Sequence, residues 1–178
     1  LMFDTPLPAT VVEAPKCGIV NIHLGPLPRF RGVNSIMHAI LAAPNEDRWT
    51  FAVTMHYMIE SVDAGPIIDV LEVPILKDDT AFDLYCRASN VVLPLFKRNI
   101  EALISTQGRV DSTPQTGKSV RVLKGPVNHE VDLTDPPDHV LAQIRALTFP
   151  GRPAPYALVG GERVYLKLSD PARAAEIN

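Results

Sequence analysis

The sequence contains no apolar run near the roughly 18 residues that cross a bilayer as a helix, so a membrane-spanning helix is excluded and a soluble protein is expected. Cysteine is scarce. Cys17 and Cys86 are the only two, far apart and without metal-type spacing, which suits a reduced, cytoplasmic setting. A large excess of either charge is absent too: 17 basic against 20 acidic side chains leave a net charge of −3, which argues against a nucleic-acid grip by bulk electrostatics. Only a local patch such as Arg29 and Arg31 remains for that purpose. No His, Cys or carboxylate cluster has ligand spacing, and no glycine-rich phosphate loop follows a strand, so no metal is expected. The opening Leu1-Met2-Phe3-Asp4 lacks the charge and apolar stretch of a signal peptide, and it does not begin with methionine.

What is present is enough for one substantial domain: 178 residues, of which 46% are hydrophobic. Seventeen prolines and ten glycines imply many turns. Gly18 to Leu24 reads as a short buried strand that ends at Gly25-Pro26-Leu27-Pro28. Ile36, Met37, Ile40 and Leu41 then repeat at helical spacing, with Pro44 expected to stop that helix. Phe51 to Met58 alternates as a strand with Phe51, Val53, Met55 and Tyr57 on one face, and Ile67 to Val73 resumes as another after a polar loop. Thr80, with Asp83 three residues on, announces a helix to about Ile104 that Pro94 should kink or split. Residues 106–126 are polar and glycine-spaced, an extended surface crossing. Thr134 or Asp135 caps a last helix with Pro136 near its first position, and strands at 157–159 and 164–168 flank the reversal at Gly160-Gly161-Glu162-Arg163.

Asn21 and His23 lie two apart on the first strand, so both project from one face at its C-terminal end. An amide donor beside an imidazole can hold an oxygen that gains negative charge when a carbonyl is attacked. Alternatively, both residues merely satisfy backbone groups at a strand end. Asp63 sits in a glycine-flanked loop, where functional groups of open α/β sheets gather, and a carboxylate near His23 would raise the imidazole pKa and fix its tautomer. His56 reads as a structural or half-exposed histidine, and His38, His129 and His139 as surface residues. Trp49 reads as packing, and Arg29 and Arg31 as either phosphate contacts or a solvated loop face.

Asn21-Ile22-His23, Leu27-Pro28-Arg29-Phe30-Arg31-Gly32 and Val62-Asp63-Ala64-Gly65-Pro66-Ile67-Ile68 together resemble the formyltransferases that use 10-formyltetrahydrofolate, over roughly Val11 to Leu168. The resemblance implies a catalytic set of Asn21, His23 and Asp63, with Asn21 and protonated His23 holding the oxyanion and Asp63 orienting His23. It also implies a pterin pocket at Met58, Ile59, Glu60, Ser61 and Val62, in which main-chain groups read the flat ring. Two features depart from the family. Its nucleotide-binding-like first half has no counterpart in the sequence, and Gly25-Pro26 stands where many members carry a serine.

The fold expected is α/β: the second half of a formyltransferase-type mixed sheet flanked by helices, plus a short C-terminal helix and β-hairpin. Residues 1–105 form the catalytic part, 106–133 a linking segment and 134–178 the helix-hairpin extension. The function implied is transfer of a formyl group from 10-formyltetrahydrofolate to a small acceptor amine, most readily an amino sugar on a nucleotide. Transfer to methionyl-tRNA is the less favoured acceptor, because neither a C-terminal barrel nor a basic surface is visible. A formyltetrahydrofolate hydrolase and a non-catalytic domain of the same fold are the rival readings. Apolar surface left where a first half would pack predicts a tendency to aggregate or to form a homodimer.

Overall fold

The computed structural model describes residues 7–122 and 127–169. The chain's first six residues, the end of the expected crossing at 123–126 and the end of the expected extension at 170–178 lie outside the described residues. In chain order the elements are α1 (Ala9–Val12), β1 (Val20–His23), β2 (Phe30–Gly32), α2 (Ser35–Glu46), β3 (Thr50–Tyr57), β4 (Ile67–Pro74), α3 (Ala81–Asn90), α4 (Val92–Ser105), β5 (Val120–Val122), α5 (Pro137–Leu147), β6 (Tyr156–Val159) and β7 (Glu162–Tyr165). The architecture is the mixed α/β arrangement expected, with an antiparallel three-stranded sheet in the order β1-β3-β4 at its centre.

β3 is buried from Phe51 to His56 without interruption, which differs from the one-sided alternation expected of it. The reason is that both faces are covered. Phe51, Val53 and Met55 join Leu84, Ala88 and Leu95 of α3 and α4 in one core. On the other face the Thr54 hydroxyl donates to the Gly25 carbonyl at 2.8 Å, so the turn after β1 folds over the strand. A strand buried on both sides cannot show a clean period of two in its hydrophobicity.

Pro44 does not stop α2, which runs on to Glu46. A proline in a helix interior costs about 3 kcal/mol, but here it lies only two residues from the end. Ala39, Ile40 and Ala43, which precede it, are buried. The actual stop is Asp47 in the left-handed region at φ 47°, whose N–H bonds to the Ala43 carbonyl together with that of Arg48. The helix announced by Thr80 divides at Val91. Pro94 then falls at the third position of α4, where a backbone N–H has no partner inside the helix to lose. Both bonds of the capping box are made: the Thr80 N–H donates to Asp83 Oδ2 at 2.9 Å, and the Asp83 N–H to Thr80 Oγ1 at 3.3 Å.

α5 starts one residue later than expected, with Pro136 as the cap and Pro137 first. The Asp135 carboxylate is engaged instead by His139 and Gln143. The terminal hairpin turns on Gly160 and Gly161 alone, at φ 60° and 89°, which is the geometry two-residue hairpin loops favour. Glu162 and Arg163 therefore belong to β7 rather than to the turn. Among its described residues the crossing between α4 and α5 is mostly exposed, yet it is fastened at two places. Thr113 exchanges both backbone hydrogen bonds with Ile67 at 2.8 Å, and β5 runs parallel to β2 with Val120 opposite Phe30.

Candidate functional site

The site is assembled from one strand pair and one loop. In the antiparallel register of β1 and β3, Asn21 lies opposite His56 and His23 opposite Thr54. Their shared face is the one covered by the turn after β1. The Asn21 amide nitrogen is 3.3 Å from His56 Nε2. The loop between β3 and β4 then brings Asp63 back over the same face, with Asp63 itself in the left-handed region at φ 49°. Such a backbone is uncommon for an ordinary residue, and Asp tolerates it better than most. Gly65 permits the return, since a Cβ there would stand 1.9 Å from the Tyr57 carbonyl oxygen.

Asp63 meets both imidazoles. Its Oδ2 is 3.5 Å from His23 Nδ1, its Oδ1 is 3.4 Å from His56 Nε2, and Oδ2 also accepts the Gly32 N–H at 2.8 Å. Burial pushes the Asp63 pKa up, but the hydrogen bond with His56, the positive charge His23 carries once acid protonates it and the Gly32 N–H together outweigh it. The net position is below the usual carboxylate value. Asp63 is therefore ionised.

His23 lies with Nε2 2.7 Å from the Phe30 carbonyl oxygen, which can only accept, so Nε2 carries a proton there. Gly25 makes room for this ring: a Cβ at that position would lie 2.4 Å from His23 Nε2. The expectation that His23 rests protonated is corrected. Burial lowers its pKa more than Asp63 and the Phe30 carbonyl raise it, and His56 lowers it further, so the net direction is down. The resting imidazole is neutral, protonated on Nε2, with a lone pair on Nδ1.

His56 is the residue that the sequence reading undervalued. It is 1% exposed rather than half-exposed, with Nδ1 2.7 Å from the Tyr57 carbonyl oxygen. Its Nε2 can receive the Asn21 N–H or, when protonated, donate to Asp63. The available signal was its place opposite Met55 in the alternation of β3, the face that pairing turns toward Asn21.

Met58 to Val62 form the first part of the returning loop. The Met58 N–H is spent on the Ile19 carbonyl at 2.8 Å, while Ile59, Glu60 and Ser61 are exposed and Met58 and Val62 are half-buried. Arg29 pairs with Glu46 and lies 4.6 Å over the Phe30 ring, and Arg31 donates twice to Gln115, so both arginines are engaged by the protein. His38 is half-buried rather than on the surface, stacked on Phe30, and burial lowers its pKa. His129 is also half-buried, and His139 pairs with Asp135 at 2.9 Å. Trp49 packs against the core. A cavity of about 620 Å³ lies between the end of α2, the Pro26–Phe30 turn and β3, and neither Asn21, His23 nor Asp63 lines it. Among the described residues no group of three or more His, Cys, Asp or Glu is arranged to hold a metal ion, and no helix is long and apolar enough to cross a membrane.

The family described as Formyl transferase matches residues 2–96. The chain is 33% identical over 165 residues to a methionyl-tRNA formyltransferase of Leifsonia xyli subsp. xyli (strain CTCB07), across 92% of this chain and 52% of that protein. Among solved structures it is similar to an N-formyltransferase of Helicobacter canadensis in complex with folinic acid and dTDP-3-aminofucose. That match has 25% identity, a TM-score of 0.66, and covers 82% of this chain and 52% of the other. A 4-N formyltransferase of Francisella tularensis shares the fold at a TM-score of 0.72 and 23% identity, over 90% of this chain and 65% of the other. The chain spans about half the length of the curated relatives it matches.

Proposed function

Because the chain belongs to the formyl transferase family, we propose that the protein transfers a formyl group from 10-formyltetrahydrofolate to an acceptor amine, with Asn21, His23 and Asp63 as the catalytic residues. The observation that carries this reading is the convergence on one sheet face of an ionised carboxylate, a neutral imidazole of fixed tautomer and an amide donor.

Each group then has one task. The acceptor nitrogen attacks the formyl carbon, and the carbonyl oxygen becomes an oxyanion. Asn21 carries two amide hydrogens; one faces His56 Nε2, and the other is available to the oxyanion. His23 takes the proton released by the attacking nitrogen on its Nδ1 lone pair. The imidazolium so formed lies between the Asp63 carboxylate and the Phe30 carbonyl, both of which favour it. As the bond from the formyl carbon to N10 breaks, His23 returns that proton to the leaving nitrogen, and tetrahydrofolate departs. Main-chain groups of Met58 to Val62 hold the pterin ring.

The acceptor is the finer part of the proposal. The relative from Leifsonia, 33% identical across nearly the whole chain, favours methionyl-tRNA. The bound dTDP-3-aminofucose of the Helicobacter structure favours an amino sugar on a nucleotide. Full-length protein incubated with 10-formyltetrahydrofolate and each acceptor in turn separates them: tetrahydrofolate release that follows one acceptor identifies it. Equal release without any amine would assign a hydrolase instead.

A further inference from the structure

The one half-buried side chain in the exposed run from Asp111 to Lys118 is Gln115, and it makes four hydrogen bonds. Its Oε1 accepts from Arg31 Nε at 2.9 Å and from Arg31 Nη2 at 2.6 Å. Its Nε2 donates to the main-chain carbonyls of Asp63 at 2.9 Å and of Gly65 at 2.7 Å. Arg31 immediately precedes Gly32, whose N–H holds the Asp63 carboxylate. Gln115 therefore clamps both ends of that contact, the main chain that carries Asp63 and the strand that presents its donor. Thr113 fastens the same run to Ile67, four residues beyond Asp63.

Asp63 needs such a clamp. It sits on a loop at φ 49°, with no strand ladder to fix it, whereas Asn21 and His23 are set by the pairing of β1 with β3. An amide is suited to the task, because it accepts from the guanidinium and donates to two carbonyls at once. We propose that Gln115 is a positioning residue for Asp63, and that the crossing between α4 and α5 serves as a strap over the Asp63 loop. The inference rests on the role given to Asp63 above. Gln115 lies beyond residues 2–96, the span that matches the family.

Gln115→Ala and Gln115→Glu test it in the full-length protein, with Thr116→Ala, an exposed neighbour, as control. Glu keeps the length and the Arg31 pairing but loses both N–H donors, so it isolates the grip on the loop. Both variants should lower kcat by about tenfold to a hundredfold, as expected for misplacing a reacting group by about 1 Å, with KM for the folate changed less than about threefold. Amide hydrogen exchange supplies a readout that needs no activity. The Gly32 N–H should exchange about tenfold faster in both variants, while the amides of β3 keep their protection. Unchanged Gly32 exchange, or Gln115→Glu at wild-type kcat, would overturn the proposal, as would protection lost equally across β3. If the wild-type protein transferred no formyl group, the proposed reaction would fall, and Gly32 exchange alone would still decide whether Gln115 holds Asp63.

Discussion

The two sides of the site are built differently. Asn21 and His23 stand on a strand whose register with β3 sets their spacing, and His56 faces them from the partner strand. Asp63 reaches the same point from a loop, and its position depends on Gly65, on the Gly32 N–H and on a glutamine 52 residues further along the chain. A ladder of backbone hydrogen bonds fixes side-chain direction at no cost in specific residues. A loop needs individual contacts to do the same, so it can be loosened one residue at a time.

Breaking the strand side should give the largest effect. Asn21→Ala should lower kcat by about 10²–10³-fold, the range for losing one oxyanion donor, and His23→Ala by about 10²–10⁴-fold, the range for losing a proton-transfer group, while KM for the folate moves much less. Steady-state kinetics with the identified acceptor checks this. Breaking the loop side by Gly65→Ala should lower kcat by about 10²-fold, because the added Cβ meets the Tyr57 carbonyl and pushes Asp63 away from His23. His56→Ala touches both sides, loosening Asn21 and Asp63 together, and should fall between the wild type and Asn21→Ala.

Acid sharpens the comparison through stability. His23 is harder to protonate in the folded protein than at its ordinary value of 6.5, so its contribution is lost as pH falls through 6.5 toward its folded value. Asp63 has a depressed pKa, so the stability it adds is present above 3.8 and is lost as pH falls through its lower folded value. Denaturant melts across that range should show acid weakening in two stages, and the lower stage should shrink in Asp63→Asn, the remainder coming from Asp69 and Asp132, whose carboxyls are also held below their usual value. Thr80→Ala, remote from the site, should produce the smallest change, about 1 kcal/mol of stability with kcat unaltered.

Much of this was legible in the sequence where the signal is local. The Thr80 and Asp83 cap, the split near Pro94, the three strands of the central sheet and the glycine turn of the hairpin each depend on residues within a few positions. The pairing of Asn21 with His23 followed from a period of two. What escaped depends on contacts distant in sequence. His56 needed the register of β1 against β3, and Gln115 stands in a polar run with nothing local to distinguish it from its neighbours. The charge state of His23 was misread because a nearby carboxylate can be inferred from sequence, but the greater burial that opposes it cannot.

Proton transfer at this site depends on a neutral His23 with its proton on Nε2 and Asp63 beside Nδ1. Nitrogen-15 NMR of the His23 imidazole, titrated in the wild-type protein and in Asp63→Asn, measures both features. The expected result is the Nε2–H tautomer at neutral pH and a midpoint below 6.5 that falls further when the Asp63 charge is removed. A midpoint above 6.5, a proton on Nδ1, or a midpoint that Asp63→Asn leaves in place would contradict it.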